Sequence, residues 1–317
     1  MKPKVLVVGL SVILVGLLGF LAASCGAGEG AESVGPVPSD PADLGTTSGS
    51  EPATTVEGES GEGSETVPPP SVGKGTVTYQ VWFTRGEEGQ LHVVKRTENS
   101  TRRVGTAALE ALFEGPESFE AENGIDTAVP SGTQLLGLTI DNGIAFVDLT
   151  SEFESGGGSL SMFLRLGQVV CTLDQFPTVK GVLFKLDGEP VDVFSGEGIL
   201  LDHPVGCKDY EDFLPVILVT SPTAGERIGN PVTIQGSANV FEANVTVLIL
   251  DENGDEIAHT FTTATCGSGC RGDFSVVLGY EVDQEQPGTI VVQDDDAAGT
   301  GTPPHRVRIP VVLTPGR

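Results

Sequence analysis

The chain has 317 residues, enough for about two ordinary domains once a leader and a linker are set aside. It carries 44 acidic against 17 basic residues, a formal net charge of -27, which excludes a broad nucleic-acid-binding face and a surface lying flat on anionic lipid. Aromatic residues make up only 6%, so the core must be built from Val, Leu and Ile.

At the start, Lys2 and Lys4 precede an apolar run from Val5 to Ala23, closed by Ser24-Cys25. A positive end, an apolar middle and small residues at the cleavage point describe a secretory signal. The cysteine at that point makes residues 1–24 resemble a lipoprotein signal peptide, although Leu21 sits one place earlier than such signals usually have it. Cys25 would then carry a diacylglycerol. Two or three acyl chains, at about 0.8 kcal/mol per buried methylene, would hold the protein on the outer face of the cytoplasmic membrane. Residues 25–74 are Gly, Ser, Pro, Thr and Glu with few large apolar side chains, the composition of a disordered acidic spacer.

Residues 75–213 mix strands and helices. A strand is expected over Thr76–Phe83, turning at 86–89 and returning over Leu91–Val94. A helix follows through Val104, Ala108, Leu109, Ala111 and Leu112, capped by Asn99, Ser100 or Thr101 and stopped by Gly115-Pro116. Asn142-Gly143 is a hairpin turn between Gln134–Ile140 and Ile144–Leu149. Ser159 is expected to cap a second helix that carries Leu160, Phe163, Leu164, Gly167, Val170 and Cys171 on one face. A strand pair around Asp187-Gly188-Glu189 completes an α+β sandwich, two helices on one small sheet. Residues 214–317 change character. Seven short strands without helical periodicity, from Val216–Thr220 to Val307–Val312, predict an all-β immunoglobulin-like sandwich.

Five cysteines fit an exported chain. With Cys25 assigned to lipid, proximity suggests Cys266–Cys270 as a local bridge and Cys171–Cys207 as a longer one, among three possible pairings. Neither His203 nor His259 lies at a paired-ligand spacing from a cysteine, so no zinc site or other cofactor is expected. Asp148 and Glu152 form a candidate carboxylate pair, the basis of an alternative reading as a cell-wall enzyme, although a strand end and helix cap explains them as well. The acidic turn Asp251–Glu256 lacks the alternating ligands of a calcium loop. Asp294-Asp295-Asp296 reads as a loop, and Arg271-Gly272-Asp273 as a chance triplet.

Several stretches together carry a resemblance. Ala107–Leu112 with Gly115-Pro116 is followed by Val129-Pro130-Ser131-Gly132-Thr133, then Val147-Asp148-Leu149 with Phe153, then Gln168–Val179. This order resembles the GerMN domain of sporulation and germination lipoproteins over about residues 75–200, with Cys171 standing where an ordinary small residue is usual. Ser221-Pro222 with Gly225, Pro231 with Ile234 and Gly236, Val240–Ala243, and Gly272 with Phe274 resemble Gmad2, the immunoglobulin-like domain often found behind GerMN. The resemblance implies a non-enzymatic module of the bacterial cell envelope, linked to sporulation or germination; with the anchor and spacer, the expected partner is another envelope protein or peptidoglycan.

Overall fold

The computed structural model describes residues 75–86, 89–296 and 299–316. The leader at 1–24, Cys25 and the spacer to residue 74 lie outside the described residues. What is described is α+β and mostly β: an N-terminal α+β domain followed by a β-sandwich.

Strands β1 (Thr76–Arg85) and β2 (Gln90–Asn99) form an antiparallel hairpin. Both run past the apolar stretch that suggested them. Polar cross-strand pairs continue the ladder, including Thr78 opposite Thr97 with their hydroxyls 2.8 Å apart. Helix α1 (Val104–Glu114) buries Ala108, Leu109, Ala111 and Leu112. The expected cap is not used. Arg103 holds the N-cap position without a side-chain bond, Asn99 stays in β2, and Gly115 ends the helix with φ 89°. A short helix α2 (Ser118–Glu122), absent from the sequence expectation, opens with the Glu117 backbone N–H donating to Glu120 at 2.8 Å. Strand β3 (Ile125–Asp126) pairs with the end of β1.

Strands β4 (Leu135–Asp141) and β5 (Ile144–Leu149) meet at the turn Asn142-Gly143, both residues at positive φ. Helix α3 (Ser159–Asp174) then crosses over to β6 (Gly181–Leu186), which lies parallel to β5. Gly158, not Ser159, caps α3, and the Ser159 hydroxyl bonds Glu197 instead. Short strands β7 (Glu189–Pro190), β8 (Val193–Phe194) and β9 (Ile199–Leu200) follow, then a 3-10 segment at Cys207–Phe213.

The expectation of one small sheet is corrected. The domain has one sheet ordered β2-β1-β3, another ordered β4-β5-β6-β7, and the separate pair β8-β9. The reason lies in α3. Strand β3 covers only Thr84 and Arg85 of β1, leaving the backbone of Gln80 and Trp82 without a strand partner on that side. Gln175, just past α3, accepts from Gln80 N–H and donates to Gln80 C=O, both at 2.7 Å. Thr172 accepts from Trp82 N–H at 3.0 Å, and Gln168 donates to Trp82 C=O at 3.1 Å. Side chains thus complete the ladder that a neighbouring strand would supply. Gln168, wholly buried, also accepts from Ala128 N–H and bonds Thr127. Arg165, only 2% exposed, is held by the carbonyls of Phe153, Ser155 and Gly156 and by the Ser161 hydroxyl. Helix α3 is therefore buried nearly all round between Leu164 and Leu173, and not along a single stripe.

In the second domain, β10 (Ile217–Ser221), β11 (Arg227–Ile228), β12 (Val232–Ala238), β13 (Asn244–Leu250), β14 (Glu256–Thr263), β15 (Gly272–Leu278), β16 (Gln286–Gln293) and β17 (Arg306–Leu313) build two sheets. Their orders are β10-β12-β15 and β11-β17-β16-β13-β14. The short β11, not expected from the sequence, pairs parallel with β17 and carries the first edge of the sandwich from one sheet to the other. The core is aliphatic: Ile234, Val245, Val247, Ile249, Ile290, Val292 and Ile309 are fully buried.

The sulfurs of Cys171 and Cys207 stand at bonding distance with Cα atoms 4.6 Å apart, joining α3 to the 3-10 segment. Cys266 and Cys270 do the same with Cα atoms 5.7 Å apart. A side chain at Gly272 would overlap the backbone of Cys266, so the strand beside this small ring needs glycine there. Loop-closure entropy separates the two bridges. Replacing Cys171 and Cys207 by Ser should lower unfolding free energy by about 4 kcal/mol, and the same change at Cys266 and Cys270 by about 2 kcal/mol. Urea unfolding of the two double variants beside the parent checks the difference.

Candidate functional site

The residues singled out from the sequence do not converge. Asp148 is half-buried at the end of β5, where its carboxylate accepts from Gly188 N–H at 2.9 Å and fixes the turn after β6. Glu152 is exposed on a separate 3-10 turn at Ser151–Glu154. Asp251 accepts from the backbone N–H groups of Asn253 and Asp255, each at 2.9 Å. The bond from Asp255 leads in holding its carboxyl below the usual range. Asp296 accepts from the backbone N–H of Thr300, and this bond leads in holding its carboxyl below the usual range too. Asp294 is buried against His305, which donates its backbone N–H at 3.0 Å and sets its ring nitrogen at 2.7 Å. These loop carboxylates are satisfied by their own turns. Among the described residues no group of three or more His, Cys, Asp or Glu could hold a metal ion, and no helix is long and apolar enough to cross a membrane.

Arg271 has a structural partner set. Its guanidinium donates to the Pro215 carbonyl at 2.7 Å and to the Ser237 hydroxyl at 3.1 Å, and lies 3.8 Å from Glu211. It ties the sandwich to the segment that leads into it.

The principal junction is β10. Ile217 and Val219 point into the sandwich core, while Leu218 between them, 3% exposed, is part of the first domain's core. A strand sends successive side chains to opposite faces, so one strand serves two cores. Around it, Lys95 of β2 bonds Glu226 at 3.1 Å and the Ser221 hydroxyl at 2.9 Å. The Phe119 ring lies against Gly225, which has φ 79° and no room for a larger residue without displacing the ring. Arg85 donates to the Arg308 carbonyl of β17 at 3.2 Å.

Two cavities open along this junction. The larger, about 770 Å³, is bordered by Lys95, Arg96, Glu117, Phe119, Glu120 and Glu226, among others. Its charges are spent on one another. Arg96 grips Glu120 with two bonds of 2.6 Å, lies 3.4 Å from Glu117, and stacks 5.8 Å from the Phe83 ring centre. The smaller, about 360 Å³, is bordered by Arg85, His92, Arg306 and Arg308, with Pro215 and Leu218 in its lining. No carboxylate among the described residues lies within ion-pair distance of these three arginines. Burial lowers the basicity of Arg85. His92 is 4% exposed, its Nε2 has no hydrogen-bond partner, and burial, helped by the charge of Arg85, pushes it down to about 3.

Neither this cluster nor Leu218 is among the site residues expected from the sequence. A signal existed for both. Val216-Ile217-Leu218-Val219 is an unbroken apolar run, the mark of a strand covered on both faces, within a domain whose other strands alternate. Arg306, Arg308, Pro310 and Val312 share the face of β17 opposite the buried Ile309, Val311 and Leu313.

An α+β domain locked by a shared strand to an immunoglobulin-like sandwich defines a two-domain, mostly β protein. Residues 80–192 match the family model Germane, described as sporulation and spore germination, and residues 216–300 match Gmad2, the immunoglobulin-like domain of bacterial spore germination. The first domain of the chain thus matches a GerMN-like family model and the second matches a Gmad2 model. Among solved structures it is similar to the first GerMN domain of the sporulation protein GerM from Bacillus subtilis, with 21% identity, 42% of this chain and 99% of that chain covered, and a TM-score of 0.38. It is also similar to the tandem GerMN domains of the same protein, with 16% identity, 60% of each chain covered and a TM-score of 0.37. No curated protein matches the chain.

Two outcomes follow from the junction. Leu218→Ala should cost about 3 kcal/mol and raise hydrogen exchange in β2 as well as in β10, because it opens a hole in the first domain's core. His92 has its pKa depressed on folding, so its contribution is fully present above about pH 6.5 and is lost as pH falls toward 3. By about pH 4.5 the parent should lose about 3 kcal/mol more than His92→Phe, read from urea midpoints across the pH range.

Proposed function

We propose that the protein is a non-enzymatic binding or scaffold module of the cell envelope, tethered by lipid on Cys25 to the outer face of the cytoplasmic membrane. Its partner is another envelope protein or peptidoglycan, engaged by the GerMN–Gmad2 pair held beyond the spacer. The observation that carries the reading is the family pair itself, both members described by sporulation or germination, with Leu218 of the second domain's first strand set into the core of the first. Two cysteine pairs at bonding distance support export, because such bonds persist in oxidising compartments. The environment of Asp148 supports a structural role for that carboxylate, since it is engaged by Gly188.

The test combines three measurements on the full chain expressed with its leader. Mass spectrometry should find diacylglycerol on Cys25. Crosslinking in envelope extract should recover one partner protein, or sedimentation with purified peptidoglycan should carry the protein down, without release of soluble fragments. A freely secreted product with an unmodified thiol at Cys25 would remove the tether. Fragment release that disappears in Asp148→Asn would overturn the binding reading in favour of an enzyme.

A further inference from the structure

We propose that the smaller junction cavity is a carboxylate-binding site that takes the C-terminal end of a peptide. The inference rests on the binding reading above and names the chemistry that the GerMN–Gmad2 junction would recognise.

The charge distribution is the first argument. In a chain of net charge -27 with only 17 basic residues, three arginines border one cavity of about 360 Å³. Arg306 and Arg308 stand two residues apart on one face of β17, so their backbones are about 7 Å apart. Arg85 reaches the same strand from the other domain. Arg85 spends one bond on the Arg308 carbonyl, and Arg306 spends its Nε on the Gln293 side chain at 2.9 Å. Among the described residues their side chains make no other bond, which leaves the forked geometry that suits a carboxylate.

The second argument is His92. It borders the same cavity, it is more than nine-tenths buried, and its Nε2 lacks a partner. An unmatched buried polar atom in a native fold calls for a role. Held neutral, the imidazole can donate one hydrogen bond from Nε2 to a ligand oxygen while keeping its charge out of the core.

The rest of the lining selects the ligand. The lining, which includes Pro215 and Leu218, is partly apolar. A strongly hydrated inorganic anion gains nothing from such a surface, whereas a terminal residue offers a carboxylate at one end and an apolar side chain at the other. The neighbouring larger cavity lacks this pattern, because its arginine and lysine already hold Glu120 and Glu226.

The experiment is a titration of the isotopically labelled full chain, followed by NMR. The probe is N-acetyl-Leu-Ala-Leu with a free C-terminal carboxylate; its C-terminal amide and inorganic phosphate are titrated in parallel. The expected result is saturable shifts of the His92 ring and the Arg306 and Arg308 side chains with the free acid. Binding should be at least about tenfold weaker for the amide and for phosphate, and should weaken as salt rises. The double variant Arg306→Gln/Arg308→Gln changes two exposed side chains, so it should fold as the parent and lose the response. No saturable shift, equal binding of acid and amide, phosphate binding as tight as the acid, or an unaffected double variant would each overturn the assignment. Recovery of an envelope partner by that double variant as well as by the parent would place the failure here and leave the broader binding reading standing.

Discussion

One strand holds the described molecule together. On β10, Ile217 and Val219 belong to the sandwich and Leu218 belongs to the domain before it. The alternation that normally separates a buried face from a wet one here separates two hydrophobic interiors. Removing the strand from either neighbour would expose apolar area that water disfavours at about 25 cal/mol per Å². The remaining contacts, Lys95 on Glu226, Arg271 on the Pro215 carbonyl and Phe119 on Gly225, fix the angle around that pin. Being partly solvent-screened, the ionic contact adds little energy and mainly sets geometry.

This arrangement explains where a recognition surface can form. Two domains joined by a short shared strand enclose clefts that neither would possess alone, and the two clefts differ in how their charges are used. The larger is lined by matched pairs, among them the twofold grip of Arg96 on Glu120. The smaller gathers Arg85, Arg306 and Arg308 with a buried, unmatched imidazole. The first kind of cleft stiffens a junction, and the second leaves binding capacity unspent.

Much of the architecture was legible from the sequence because its signals are local. Asn142-Gly143 demands positive φ at both positions and specifies its hairpin. The seven short alternating runs after residue 214 correspond to seven strands, and the helical spacing of Ala108, Leu109 and Leu112 corresponds to a buried helix face. What escaped notice depends on tertiary partners. Gln168, Thr172 and Gln175 look like an unremarkable polar row until β1 is placed beside them. Asn99, Ser100 and Thr101 are good caps by type, yet the β2 ladder continues to Asn99 and leaves the helix to start at Val104. The arginine cluster joins Arg85 to residues more than two hundred positions later, a separation that no window of sequence spans. From the sequence Asp148 pairs with Glu152 as a candidate carboxylate couple, and only the fold reveals the Gly188 N–H that occupies it.

The amide row that finishes β1 has an effect beyond stability. Strand margins with unmet N–H and C=O groups are templates on which another chain's backbone can assemble. At Gln80 and Trp82 that template is already filled by groups from within the same molecule, at distances of 2.7 to 3.1 Å. However densely copies of this protein are crowded together, their backbones cannot pair at Gln80 and Trp82, and a neighbour there must be met through side chains instead.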